Sequence, residues 1–192
     1  PIEPRMCIRM SDARIAEVRG ISGGKSQEVE QVFMDETGEG GSVLGNKLKE
    51  FGNEADAYKK RESDMKYVTR LMKKNQNDDP FTKEELQFLY EINGTIEGFG
   101  YQKDPRIAEL RQGRNAEEDM LVIFECTREE IAHVPSQITE NTKAYVGQLE
   151  PGIFQRAFNL KHIYTSFPEG RIRREALLVD GRSADQLEKA MR

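Results

Sequence analysis

Cysteine and histidine are scarce in this chain, with two of each in 192 residues. Two scattered cysteines, Cys7 and Cys126, with His133 and His162 make a transition-metal site improbable. The two cysteines sit in stretches that read as strands, so they are expected as buried free thiols in a reducing, cytoplasmic compartment; a single disulfide is the alternative. Long apolar runs are also missing. None approaches the roughly 18 residues a membrane-spanning helix needs, so no membrane partner is expected. The first residues are charged and lack the apolar stretch of a signal peptide. No internal repeat is visible. Apolar residues make up only 36% of the chain against 33% charged, so part of it is expected to be extended or loosely ordered.

Net charge is −5, which argues against general affinity for nucleic acid or anionic lipid. The charge is unevenly spread. Residues 44–76 carry nine basic and five acidic side chains, while the flanking regions are acidic.

Four regions follow from pattern. Residues 1–19 alternate apolar and polar around Ser11-Asp12-Ala13 and predict a hairpin. Residues 20–43 are rich in glycine and acid and predict a mobile loop, with a short helical patch at 27–34. Residues 44–79 place Leu44, Leu48, Phe51, Ala55, Tyr58, Met65, Val68 and Met72 at steps of mostly three and four, one face of a long charged helix. Gly45 and Gly52 weaken its first turns, so its firm part is expected from about residue 53 to 75, near 34 Å long. Residues 80–192 predict an α/β core. Thr82 and Glu85 form a capping box, Gly94 is expected as the left-handed stop, and Asp104-Pro105 opens a further helix. The run 120–126 is expected as a buried central strand, followed by a second capping box at Thr127 and Glu130. Residues 144–149, 162–167 and 171–179 predict strands, and Ser183 caps a final helix. The fold class is therefore α/β or α+β: a small mixed sheet, packed helices and one long amphipathic helix, expected as a single domain.

One run resembles a catalytic motif. Gly20-Ile21-Ser22-Gly23-Gly24-Lys25-Ser26 is one residue short of the phosphate loop G-x-x-x-x-G-K-[ST], because position 19 is Arg19. Consecutive backbone amides grip phosphate, so the missing residue matters. Lys25 and Ser26 remain candidate anion holders, and Glu125 could stand near a metal in such a site; the bland reading is a surface loop. Ser136 follows His133, and Thr165 follows His162, at a spacing of three, which on a strand puts hydroxyl and imidazole on opposite faces. No nucleophile and base are thereby paired. No catalytic residue, cofactor or metal is assigned. Clustered acids at 117–119 and 129–130 suit helix starts.

Arg171, Arg173 and Arg174 lie near Tyr164 and Phe167. They could hold phosphate or nucleic acid, or act as edge charges that block strand pairing. Phe99 and Tyr101, within Ile96-Glu97-Gly98-Phe99-Gly100-Tyr101, could line an interface or plug a core. With Tyr58, Met65, Val68 and Met72 on the long helix, they are the candidate interaction surface.

The longer stretch that holds Ile96–Tyr101, from Phe88-Leu89-Tyr90-Glu91-Ile92-Asn93-Gly94-Thr95 on to Gln102-Lys103-Asp104-Pro105-Arg106-Ile107, is similar to a recurring bacterial segment, as are residues 7–20 and 163–174. They resemble uncharacterised bacterial proteins in which this region precedes further sequence, sometimes a repeat array. The resemblance implies an N-terminal module and brings no catalytic residue. The chain starts at Pro1 and ends at Arg192 inside a helical pattern with no stop signal, so a longer parent protein is expected. The leading expectation is a non-enzymatic binding or scaffolding module with a protein partner or self-association. The alternatives are an enzyme or binder acting on phosphorylated ligands, and a nucleic-acid module using the basic helix and the arginines at 171–174.

Overall fold

The computed structural model describes residues 5–21, 43–150, 153–157 and 160–172. The fold is α+β. Its contacts divide the chain into two compact units, Pro1–Arg70 with Ile96–Asp104, and Leu71–Thr95 with Pro105–Arg192.

The first unit starts with a hairpin, β1 (Arg5–Ser11) and β2 (Arg14–Ile21), paired antiparallel with a register shift at Arg9/Met10. Its two-residue turn, Asp12 and Ala13, has φ of 49° and 63°. Positive φ at both positions matches the right-handed twist of the strands and belongs to a type I′ turn. Gly20, the first glycine of the phosphate-loop resemblance, pairs with Met6 inside this ladder. It is a strand residue rather than the start of a loop, and Lys25, Ser26 and the patch at 27–34 lie outside the described residues.

The helical pattern that begins at Leu44 is divided. Helix α1 (Val43–Lys49) stops before Gly52, whose φ of 56° an L side chain rarely adopts, and α2 (Asn53–Gln76) starts afresh. Ile15, Leu44, Leu48, Ala55 and Tyr58 form one buried cluster, with Ile8, Val18 and Phe51 packed against it. Each fully buried aliphatic side chain of such a core contributes about 1.5–3 kcal/mol.

In the second unit α3 (Lys83–Leu89) carries the expected capping box: the Glu85 amide donates to Thr82 Oγ1 (3.3 Å), and the Thr82 amide donates to Glu85 Oε2 (2.8 Å). The residue that turns left-handed after it is Glu91, with φ of 56°, not Gly94. Arg111 of α4 (Pro105–Gln112) holds this end, donating to the Leu89 carbonyl from Nε (2.9 Å) and Nη2 (2.6 Å) and pairing with Glu91 (3.0 Å). A last-turn carbonyl without an intrahelical partner is thereby satisfied.

The run 120–126, expected as a strand, is the body of helix α5 (Ala116–Phe124). Asn115 caps it by accepting from the Glu117 amide (3.1 Å), and three acids fill the first turn where the dipole favours them. Asp119, Met120, Ile123 and Phe124 are buried while Val122 is exposed, which is the helical period. The apolar run was too short to separate the two periods by itself. Thr127 opens only a single 3-10 turn, Arg128–Glu130.

Strands β3 (Ile131–Ala132), β4 (Ala144–Val146) and β5 (His162–Tyr164) form a parallel sheet in that order, with an isolated antiparallel bridge between Tyr164 and Arg171 at its edge. Helix α6 (Ile153–Arg156) lies in the crossover from β4 to β5. The register aligns Ala132, Tyr145 and Ile163 on one face, where they bury against Ile153, Ala157 and Leu160. His162 and Tyr164 point the other way. His162 stacks on Phe124 at 4.5 Å, and Tyr164 lies 5.9 Å from it. The final helix expected from Ser183 and the strand expected beyond Ile172 fall outside the described residues.

Candidate functional site

The site is built where β2 meets α2. The Ile15 amide donates to Glu54 Oε1 (2.9 Å), Arg61 Nη2 donates to the Ile15 carbonyl (3.4 Å), and Arg61 Nη2 also pairs with Glu54. One residue of the strand edge thus has both backbone groups taken by an ion pair on the helix. Edge strands need such cover. Burial works against ionisation of Glu54, but the bonds from Arg61 and the Ile15 amide outweigh it and hold its carboxyl below the ordinary value.

Asp64, on the same helix, accepts from the Glu97 amide (2.9 Å) and from Lys60 Nζ (2.6 Å). This ties the start of the 96–101 loop to α2. Phe99 then lies tilted on Tyr58 with ring centroids 5.5 Å apart, and the Arg61 guanidinium lies 5.9 Å from the Phe99 centroid. Burial is the main reason the Tyr58 hydroxyl is pushed up to about 12. Tyr101 stands 91% exposed and gives its hydroxyl hydrogen to Asp12 Oδ2 at 2.8 Å.

Hairpin, helix and loop enclose a cleft of about 510 Å³ lined by Arg9, Asp12, Arg14, Arg61, Phe99 and Tyr101 among others. Arg9 Nε donates to Glu17 (3.3 Å), and Arg19 pairs with the same carboxylate. These bonds, Arg19 first, hold the Glu17 carboxyl below its ordinary value. The exposed Arg14 side chain makes no hydrogen bond or ion pair among the described residues. Met10 and Phe99 are exposed apolar side chains of the same unit, at 41% and 46%.

Of the residues the sequence offered as a contact surface, Phe99 and Tyr101 reach this cleft. Tyr58 and Val68 do not present a surface: both are buried, Val68 at 1% exposure, so they serve packing. Met65 and Met72 are half-buried. Arg171 donates from Nη1 to the Ile92 carbonyl and so helps hold the chain after α3. Arg173 lies outside the described residues. Arg9, Arg14 and Arg61 were not singled out in advance. Two arginines flanking a tight turn were a readable signal; Arg61 gave none, because its role depends on Glu54 and Ile15.

Unit two has a smaller cleft, about 460 Å³, lined by Glu117, Arg128, Glu129, His133 and Gln137 with apolar neighbours. His133 Nδ1 donates to the Val146 carbonyl (2.9 Å). Among the described residues, no group of three or more His, Cys, Asp or Glu side chains could hold a metal ion. Both thiols are free. Cys7 is exposed rather than buried, and Cys126 is half-buried. No helix among the described residues is long and apolar enough to cross a membrane.

Comparison with known proteins leaves the geometry to speak for itself: no family model, no curated protein and no solved structure matches the chain.

Proposed function

We propose that the chain is a non-enzymatic binding module whose cleft between hairpin, α2 and the 96–101 loop receives an extended segment of a protein partner. The observation that carries this reading is the pairing of exposed aromatic rings, Phe99 and Tyr101, with three guanidiniums around one concavity. Tyrosine and arginine dominate the energetic centres of protein interfaces, because each offers a large, stiff contact area with a polar end. The ties from Asp64 and Asp12 fix the loop before any partner arrives, which lowers the ordering cost of binding. A volume of about 510 Å³ suits a few side chains rather than a folded surface. The lining offers groups that hold: guanidiniums, ring faces and one carboxylate already engaged by Tyr101.

The alternative of a nucleic-acid module using the basic helix draws less support. Lys60, Arg61, Lys66 and Lys74 on α2 are each paired with an acid, namely Asp64, Glu54, Glu62 and Glu85. Their charge is largely spent within the fold. In keeping with the bacterial resemblance, the module is proposed to belong to a longer bacterial protein.

A display library of random dodecapeptides, panned against the whole chain, tests the reading. Enriched peptides should bind at least tenfold more weakly to Phe99→Ala and Tyr101→Ala. No enrichment over the starting library, or binders indifferent to both substitutions, refutes it.

A further inference from the structure

We infer that the cleft recognises a carboxylate, the acidic side chain of an extended peptide that carries an apolar residue beside it. This rests on the binding reading above and adds the chemistry of the ligand.

The donors decide it. Arg61 is only 8% exposed, yet its hydrogen bonds all leave from Nη2, to Glu54 and to the Ile15 carbonyl. Its Nε and Nη1 have no partner among the described residues, on a side chain that lines the cleft. Neither nitrogen is among the buried polar atoms shut off without a partner, so both stay open to an incoming acceptor. Arg14, across the same concavity, has its full fork unused. The cleft therefore offers several N–H groups and lacks an acceptor for them. Asp12, the acid of the lining, already accepts from Tyr101 and from Ser11 Oγ at 3.5 Å.

Charge points the same way. Of the charged side chains that line the cleft, Arg9, Arg14 and Arg61 stand against Asp12 alone, an excess of positive charge that draws an anion, and in a protein segment the common anion is a carboxylate. Arginine forks also match the planar, two-oxygen edge of a carboxylate. The Phe99 and Tyr101 rings supply an apolar wall next to these donors, so an acid flanked by an apolar side chain fills both halves of the concavity.

The peptides selected on the whole chain supply the probe. Each is resynthesised with its acidic residues changed to the amide and titrated by fluorescence anisotropy. One acid-to-amide change should weaken binding by tenfold to a hundredfold. Arg14→Glu in the protein should cost a similar factor, and a peptide with that acid changed to Lys should recover most of the loss on the Arg14→Glu protein. Arg14→Gln serves as a second variant, and both should keep the far-ultraviolet circular dichroism of the parent. Acetate should compete with the peptide better than inorganic phosphate at equal ionic strength. If binders need Phe99 and Tyr101 but tolerate every charge change, the carboxylate inference falls and the binding reading stands. If phosphate competes better, the ligand is a phosphoryl group and the inference also falls. If no peptide binds, both fall.

Discussion

In the second unit Tyr90 gives its hydroxyl hydrogen to Asp119 Oδ2 (2.7 Å), and Arg114 grips the same carboxylate with Nε and Nη2, each at 2.7 Å. In the first unit Tyr101 gives its hydroxyl hydrogen to Asp12 Oδ2 (2.8 Å), with Arg14 lining the same cleft but bonded to neither. The residue types are the same and the setting is opposite. Tyr90 and Asp119 are buried, and the Arg114 guanidinium lies 4.5 Å from the centre of the Phe81 ring. Burial is the first reason the Tyr90 hydroxyl is pushed up, with the bond to Asp119 next; the same carboxylate, through its hydrogen bond, raises Arg114. Around Asp119 the carboxylate takes the hydroxyl hydrogen and two of the guanidinium nitrogens. Around Asp12 the guanidinium keeps its fork unspent. The contrast shows that a Tyr-Asp-Arg set closes on itself or stays open according to whether its arginine is bonded to the carboxylate.

The largest expected effect separates the two sets directly. Asp119→Asn leaves the Arg114 charge without its counterion and weakens the acceptor of Tyr90, in a site almost closed to water. It should cost about 2–3 kcal/mol. Asp12→Asn, in the exposed set, should change stability by less than about 0.5 kcal/mol. Asparagine is chosen because it tolerates the left-handed backbone that Asp12 adopts. Urea unfolding followed by circular dichroism reads both. Equal shifts of the two midpoints would mean that burial does not distinguish the sets.

The parts legible in the sequence were those governed by local chemistry. The hairpin followed from alternation about Asp12-Ala13, the long helix from the three-and-four spacing through Val68, and the start of α3 from Thr82 and Glu85. Where tertiary context decided, the pattern misled. The run 120–126 has the composition of a buried strand, yet the cap at Asn115 and the acids after it make it a helix. Glu91 turned left-handed three residues before the glycine that was expected to. Apolar spacing on α2 identified a stripe but could not say which members stay buried, and Tyr58 and Val68 do. The candidate site was legible only through Phe99 and Tyr101. Its cations come from two strands and a helix separated by some 50 positions, and no local pattern announces such convergence.

A smaller effect sharpens the display side of the comparison. Ala13 sits at φ of 63°, where its Cβ crowds the following carbonyl. Glycine carries no such penalty and is the preferred second residue of this turn. Ala13→Gly should stabilise the hairpin that carries Arg9 and Arg14 by about 1 kcal/mol, seen as a raised urea midpoint. Because the turn geometry is kept, affinity for the selected peptides should not change. A lowered midpoint would show that the turn does not hold Ala13 left-handed.

The smallest effect tests how tightly the second unit closes its polar groups. His162 stacks on Phe124 at 4.5 Å, and its Nδ1 is buried with no partner among the described residues. Desolvation, with Arg171 and Lys161 adding like charge, pushes its pKa below the ordinary 6.5. The unfolded chain therefore takes up this proton at a higher pH than the folded chain does. Between the two values the unfolded state binds more protons, so stability is full above about pH 6.5 and declines as pH falls below it. The decline levels off once the folded imidazole protonates. Part of the ring remains in contact with water, which screens the effect and keeps it modest. Urea midpoints taken at about pH 7.5 and pH 5.5 should differ in that direction, with the higher pH more stable. His162→Phe preserves the stack on Phe124 and removes the titrating group, so it should flatten the dependence. A slope that survives this substitution would place the titrating group elsewhere in the chain.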